Sequence, residues 1–240
     1  MNLILYTPAD RLENDPNRIR LSDKRLEHMR TVHRVKVGDT VTVGLLNGDM
    51  GTGRIDRLTA DSAVLSVTLS SPPPPPSPIT LVLAMPRPKM FRRVLAGVVS
   101  MGIKAIYLIH SYRVEKSYWS TPFLHADQLH AVMLDGLSQS VDTRLPRLHP
   151  RKRFKPFVED ELAGIRNNRP GLLAHPGATA PCPFRIPSPV TLVIGPEGGF
   201  IPYEVEKISA AGFTPVHIGS RILRVETAVP YLMGRIAETA

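Results

Sequence analysis

The stretch SPPPPPSP, residues 71–78, constrains this chain more than any other feature. Consecutive prolines have no backbone N–H groups to give to a sheet or helix and prefer stiff polyproline II geometry, so no central strand can run through them. We therefore divide the chain into residues 1–71, a linker over 72–78, and residues 79–240. Such a run can also serve as a ligand for an SH3-like partner. Strand-like segments flank this one closely on both sides, which suits a spacer.

The two sides differ in pattern. Upstream, LSDKRLEHMRTV (21–32) predicts one short helix with Ser22 as its N-cap, and VKVGDTVTVGL, GTGRIDRLT and SAVLSVTLS are β-branched runs separated by Gly and Asp turns. One helix among several short strands predicts a small β-barrel. Downstream, ITLVLAM, KAIYLIH, VTLVIG and PVHIGS read as strands. Between and after them KMFRRVLAGVVSMG, a longer stretch from about Ala126 to Gln139, YEVEKISAAG and a final segment from about Glu226 read as helices. Strands alternating with helices predict an α/β domain with a mainly parallel sheet.

Composition narrows the setting. In 240 residues, 42% hydrophobic content can fill a sizeable core. A lone cysteine, Cys182, excludes an internal disulfide framework and reads as an inert thiol. The opening MNLILYTPADRLEND has no basic n-region, and no later run approaches a membrane span in length, so a soluble cytoplasmic protein with no membrane partner is expected. The net charge of +9 is unevenly spread: residues 72–160 hold 13 Lys and Arg against 6 Asp and Glu, whereas each flanking region has an excess of one. The excess is concentrated in PRPKMFRR (86–93), with Arg87, Lys89, Arg92 and Arg93, and in TRLPRLHPRKRFK (143–155), with Arg144, Arg151, Lys152 and Arg153. We read both as loop-and-terminus segments able to track a phosphate backbone.

The chemistry concentrates in VTLVIGPEGGFIPYEVEKI (190–208), a strand, a glycine-rich loop and a helix. The loop lacks the G-x-G-x-x-G of a first dinucleotide-binding turn, and Phe200 and Ile201 follow Gly199 where a P-loop needs Lys and Ser or Thr. No Cys/His pair has zinc spacing, so no metal is expected, and no hydrolase triad is recognisable. Two other strand-following loops, LAMPRPKM and HIGSRILRVETA (217–228), share its character. Glycines that admit close approach, with helix N-termini behind them, suit a small polar ligand such as an adenosyl group.

At these residues the chain resembles a known family. IGPEGGF with its helix, then a strand and IGSRILRVETA, is similar to the RsmE-type 16S rRNA (uracil-N3)-methyltransferases of the SPOUT class, whose motifs read close to IGPEGG and LGPRILRxETA. HMRTVHRVKVGD (28–39) resembles the family's amino-terminal pattern, and KMFRRVLAGVVSMGIKAIYLI its central region. The resemblance implies a PUA-like β-barrel RNA-binding domain in front of a SPOUT domain. The latter would be a trefoil-knotted, mainly parallel sheet with helices on both faces. It also implies S-adenosylmethionine as cofactor, ribosomal RNA or the small ribosomal subunit as partner, and a homodimer, for which the apolar final helix with Val229, Tyr231, Leu232 and Ile236 is the candidate face.

Residue by residue, the resemblance implies that Gly195, Pro196, Glu197, Gly198 and Gly199 form one wall of the cofactor pocket. Ile218, Gly219, Ile222, Leu223 and Arg224 form the other, with Leu223 beside the adenine. Arg224 is the candidate to stabilise a uracil anion, Glu226 or Glu197 the candidate base, and Arg34 an additional RNA contact. Three departures stand out: Ser220 where the family has proline, Val32-His33-Arg34 for V-L-R, and Ser138-Gln139-Ser140-Val141-Asp142-Thr143-Arg144 for the segment containing E-Q-x-G-R. The last touches target choice. Two alternatives therefore stay open: another rRNA or tRNA position, or a non-catalytic RNA-binding assembly factor.

Overall fold

The structure, a computed structural model, describes residues 2–237. The chain divides into two compact units: the first takes the chain up to Pro75 together with Leu134–Leu145, and the second takes Pro76–Met133 and the chain from Pro146 onward. Leu134–Leu145, downstream of the prolines in sequence, groups with the first unit because the amides of Asn2 and Leu3 donate to Ser138 O. In addition, Asn47 N donates to Thr143 O at 2.8 Å.

The first unit carries a six-stranded sheet in the order β1-β4-β5-β6-β3-β2. Its strands are β1 (Ile4–Tyr6), β2 (Arg11–Leu12), β3 (Asp15–Leu21), β4 (Thr40–Leu45), β5 (Met50–Leu58) and β6 (Ala63–Ser71). Alternate residues of β3, β5 and β6 bury Ile19, Leu21, Ile55 and Leu65 against Leu26 and Met29 of helix α1 (Lys24–Thr31). In β5 a Cβ on Gly51 would stand 2.0 Å from Thr68 O, so only glycine lets β6 approach there. The N-cap of α1 is Asp23, one residue beyond the expected Ser22. Its carboxylate accepts Arg25 N and holds the Arg25 guanidinium, which also reaches Asp10 at 2.6 Å; a hydroxyl offers no such ion pair.

In the second unit seven parallel strands run in the order β11-β13-β10-β12-β7-β8-β9. They are β7 (Ile79–Ala84), β8 (Ala105–Ile109), β9 (Arg147–Arg151), β10 (Gly171–Ala174), β11 (Ala180–Pro181), β12 (Val190–Ile194) and β13 (Thr214–His217). Its full-length helices are α2 (Pro88–Ser100), α6 (Pro202–Ala210) and α7 (Val225–Ile236), whereas α3 (Ala126–Ser140) is divided between the two units after Met133. Short turns α4 (Phe154–Pro156) and α5 (Ala163–Arg166) bracket a π-helical stretch at Phe157–Leu162. β12 is buried at every position, as a central parallel strand must be, and it lies between β7 and β10 although it follows both in the chain.

Two expectations are corrected here. The basic stretch 143–155 is not all loop: Arg147–Arg151 is the edge strand β9. The final helix does not offer an apolar outer face. Val229, Leu232 and Ile236 are buried in this chain's own core, since α7 packs on α2, and only Tyr231 is substantially exposed.

Candidate functional site

The carboxyl ends of three adjacent strands, β12, β10 and β13, open into one cleft of about 280 Å³. In parallel α/β sheets ligands bind beyond this end of the strands. Ala174–Pro176, Ile194–Phe200 and Val216–Gly219 with Arg221–Leu223 supply the walls; Val225, Ala228 and Leu232 of α7 and the side chain of Arg113 complete them.

The first wall is a tight turn. Gly199 N donates to Pro196 O at 2.8 Å, and Gly199 takes φ +72°, a region unfavourable for residues with a Cβ. Gly195 sits so close to Phe200 that an added Cβ would lie 3.1 Å from its ring. Three side chains then pin the turn. Glu197 Oε1 accepts Arg87 N, at the N-cap of α2, at 3.0 Å. The Arg113 guanidinium donates to Gly198 O. Glu204, 2% exposed, accepts Ile201 N through one oxygen and Tyr112 N through the other.

The second wall bends at Gly219, with φ +114°, whose amide donates to His217 Nδ1 at 3.1 Å. Bare backbone faces open space at Gly199 and Gly219: both line the cleft, and an added Cβ would meet no atom within 4 Å.

Of the residues named from sequence, Gly195, Pro196, Glu197, Gly198, Gly199, Ile218, Gly219, Ile222 and Leu223 all line this cleft. Arg224 stands outside the lining, exposed at the N-cap of α7, and Glu226 is half-buried on that helix's first turn. Among the described residues no salt bridge joins the two. At Gly198 a Cβ would press on Arg113 Cδ at 3.0 Å. Sequence reasoning missed the third wall. Its signal was GLLAHPG (171–177), an apolar run stopped by Pro and Gly, and with it came His175 and Pro176.

A model of the RNA methyltransferase domain matches residues 73–237. The chain belongs to that family. It is 27% identical to a ribosomal RNA small subunit methyltransferase E from Treponema pallidum over 95% of this chain and 87% of the relative. A protein of the same name from Synechocystis is 26% identical over 91% and 72%. A crystal structure of a ribosomal RNA small subunit methyltransferase E from Neisseria gonorrhoeae, bound to S-adenosyl methionine, superposes with a TM-score of 0.72. The two are 23% identical across 97% of this chain and 95% of that one, a likeness of fold.

The basic residues divide between the units. Arg87, Lys89, Arg92 and Arg93 are exposed at the start of α2, and Lys152 and Arg153 are exposed just after β9. Arg151 is already engaged: its Nε donates to both oxygens of Glu161 at 2.8 Å, and its guanidinium lies 5.9 Å from the Tyr107 ring centre. In the first unit Arg34, at φ +51°, and Arg144 are both exposed. No group of three or more His, Cys, Asp or Glu among the described residues is placed to hold a metal ion, and no described helix is long and apolar enough to cross a membrane.

Proposed function

We propose that this protein transfers a methyl group from S-adenosylmethionine to N3 of a uridine in small-subunit ribosomal RNA. The observation that carries the reading is the cleft itself: the loops IGPEGGF and HIGSRIL line one cleft at the strand ends, in a chain of the RNA methyltransferase family. The relatives' name and the cofactor of the Neisseria structure support it.

The cleft suits that cofactor. Phe200, Ile218 and Leu223 offer apolar surface to an adenine, and the glycine backbones admit a folded ligand closely. When bound, the sulfonium supplies an electrophilic methyl group. The protein's task is then to align an acceptor and exclude water. Arg224, its guanidinium free of any described carboxylate partner, is assigned to stabilise the uracil anion. Glu226, half-buried on α7 between the cleft residues Val225 and Ala228, is assigned to take the N3 proton, because Glu197 already spends one oxygen on the N-cap of α2.

The finer architecture is part of this proposal. The six strands and α1 of the first unit serve as a PUA-like RNA-binding barrel. The second unit is a trefoil knot, a reading supported by β12 entering between two earlier strands and by the amides of Arg185 and Ile186 bonding to Arg235 O and Ile236 O near the end of α7. Two copies would form the working enzyme, with exposed Tyr231 and Ile222 as contact candidates. Calorimetric titration with S-adenosylmethionine, followed by labelled-methyl transfer to ribosomal RNA, tests the reading. Binding without transfer would make the chain an assembly factor, and transfer elsewhere would redirect the target.

A further inference from the structure

The other half of the same sheet edge carries a second cluster that the cofactor cleft does not use. Just beyond the carboxyl ends of β7, β8 and β9 stand Arg87, His110 and Lys152, and Trp119 lies against the last two. Trp119, the chain's single tryptophan, is half-buried. Its indole N–H donates to His110 Nδ1 at 3.0 Å, which fixes the ring's orientation, and the Lys152 ammonium lies 6.0 Å from the ring centre. Two contacts join this cluster to the cleft. Phe154, two residues beyond Lys152, meets the cleft residue Phe200 at a ring separation of 6.4 Å, and Arg87 N is held by Glu197.

An oriented indole beside exposed cations is the combination that single-stranded nucleic acid requires: a face for a base and charges for its phosphates. We propose that Trp119 is a stacking platform for an RNA base next to the acceptor nucleotide, with Lys152 and Arg87 on the flanking phosphates. The proposal rests on the RNA methyltransferase reading and adds to it the residue that positions the strand.

Because Trp119 is the only indole, its fluorescence reports directly on the platform. The full chain is titrated with a single-stranded hexauridylate and, separately, with an abasic ribose-phosphate hexamer, binding being followed in parallel by anisotropy. The hexauridylate is expected to quench Trp119 saturably and the abasic hexamer to leave emission nearly unchanged. Trp119→Leu should weaken hexauridylate binding about tenfold, the scale of one lost stacking contact, whereas Trp119→Phe should retain most of it. Affinity for S-adenosylmethionine should be the same in all three proteins. Saturating hexauridylate binding with constant emission overturns the proposal, as does a wild type that fails to bind the hexamer or a folded Trp119→Leu protein of undiminished affinity. Failure of the wild type to bind S-adenosylmethionine counts against the cofactor assignment instead, and the quench still decides the role of Trp119.

Discussion

Glu204, buried on the first turn of α6, accepts the backbone N–H of Tyr112 at 2.7 Å. Its other oxygen accepts Ile201 N at 3.0 Å, so one carboxylate fastens the loop after β8 to the helix that follows the glycine-rich turn. Arg113, next to Tyr112, is thereby placed where it reaches Gly198 O and lines the cleft. The wall's shape depends on a residue outside the cleft.

Replacing Glu204 by Gln keeps one acceptor oxygen but turns an amide donor towards the second N–H. A buried amide group left without its partner is worth about 1–3 kcal/mol. Thermal unfolding should show a loss of that size, and calorimetry should show weaker S-adenosylmethionine binding. A Glu204→Gln protein with unchanged affinity would mean that the cleft keeps its shape without the staple.

At Gly198 the neighbour is the Arg113 side chain, with Cδ 3.0 Å from where a Cβ would stand. Gly198→Ala should therefore be tolerated after a small movement of Arg113, but Gly198→Val should displace it from Gly198 O and lower cofactor affinity by about tenfold, one lost hydrogen bond to a charged group. Equal affinities in folded Ala and Val variants would refute this account of the wall.

Val141 holds φ +57°, a conformation that is strained for a β-branched residue. It stands in the stretch that departs from the E-Q-x-G-R segment. Val141→Gly relieves strain of roughly 1–3 kcal/mol and adds about 1 kcal/mol of unfolded-state entropy, so a small net rise in stability is expected. Denaturant unfolding of the variant gives the sign directly.

Burial pushes the His110 pKa down; Glu204 opposes the shift and Lys116 adds to it. His149 shifts the same way, through burial and then Arg151 and Arg147. The unfolded chain, with histidines near about 6.5, takes up these protons first as pH falls. Stability should be fully present above about pH 6.5 and decline as pH falls from there through the lower folded values. Melting temperatures across that window should flatten in His110→Asn, which removes one of these two histidines with a lowered pKa.

The salt dependence of RNA binding separates structural from contacting arginines. Lys152→Ala with Arg153→Ala should reduce the slope of log K against log salt by about 1.5, at roughly 0.7–0.9 per phosphate contact. Arg151→Ala should change the slope little and the stability more, because its guanidinium is committed to Glu161. An unchanged slope in the double variant would return both residues to ordinary solvated surface.

Much of this was legible beforehand because β7 and β12 are long apolar runs closed by Pro or Gly, and α2 and α7 carry clear helical periodicity. What escaped was weakly written. β10 offers only Gly171–Ala174, too short for periodicity to distinguish strand from helix. β9 reads RLHPR, and its proline and charges are tolerable only because it is an edge strand. The helical stretch beginning at Phe154 was masked by Pro156, which a first turn accommodates. The glycine loops announced the ligand's place, but Arg87, Tyr112 and Arg113, which pin that place, stand 85 to 110 positions from their partners, and no local pattern encodes it.

The most direct test of the account is methyl transfer itself. Purified protein is incubated with methyl-labelled S-adenosylmethionine and either naked small-subunit RNA or intact small subunits, and the modified nucleotide is identified by nuclease digestion and mass spectrometry. The account predicts label in the RNA as N3-methyluridine, lost in Arg224→Ala and reduced in Glu226→Gln. Cofactor bound tightly but no label in either substrate, or label on a ribose hydroxyl or another base, would contradict it.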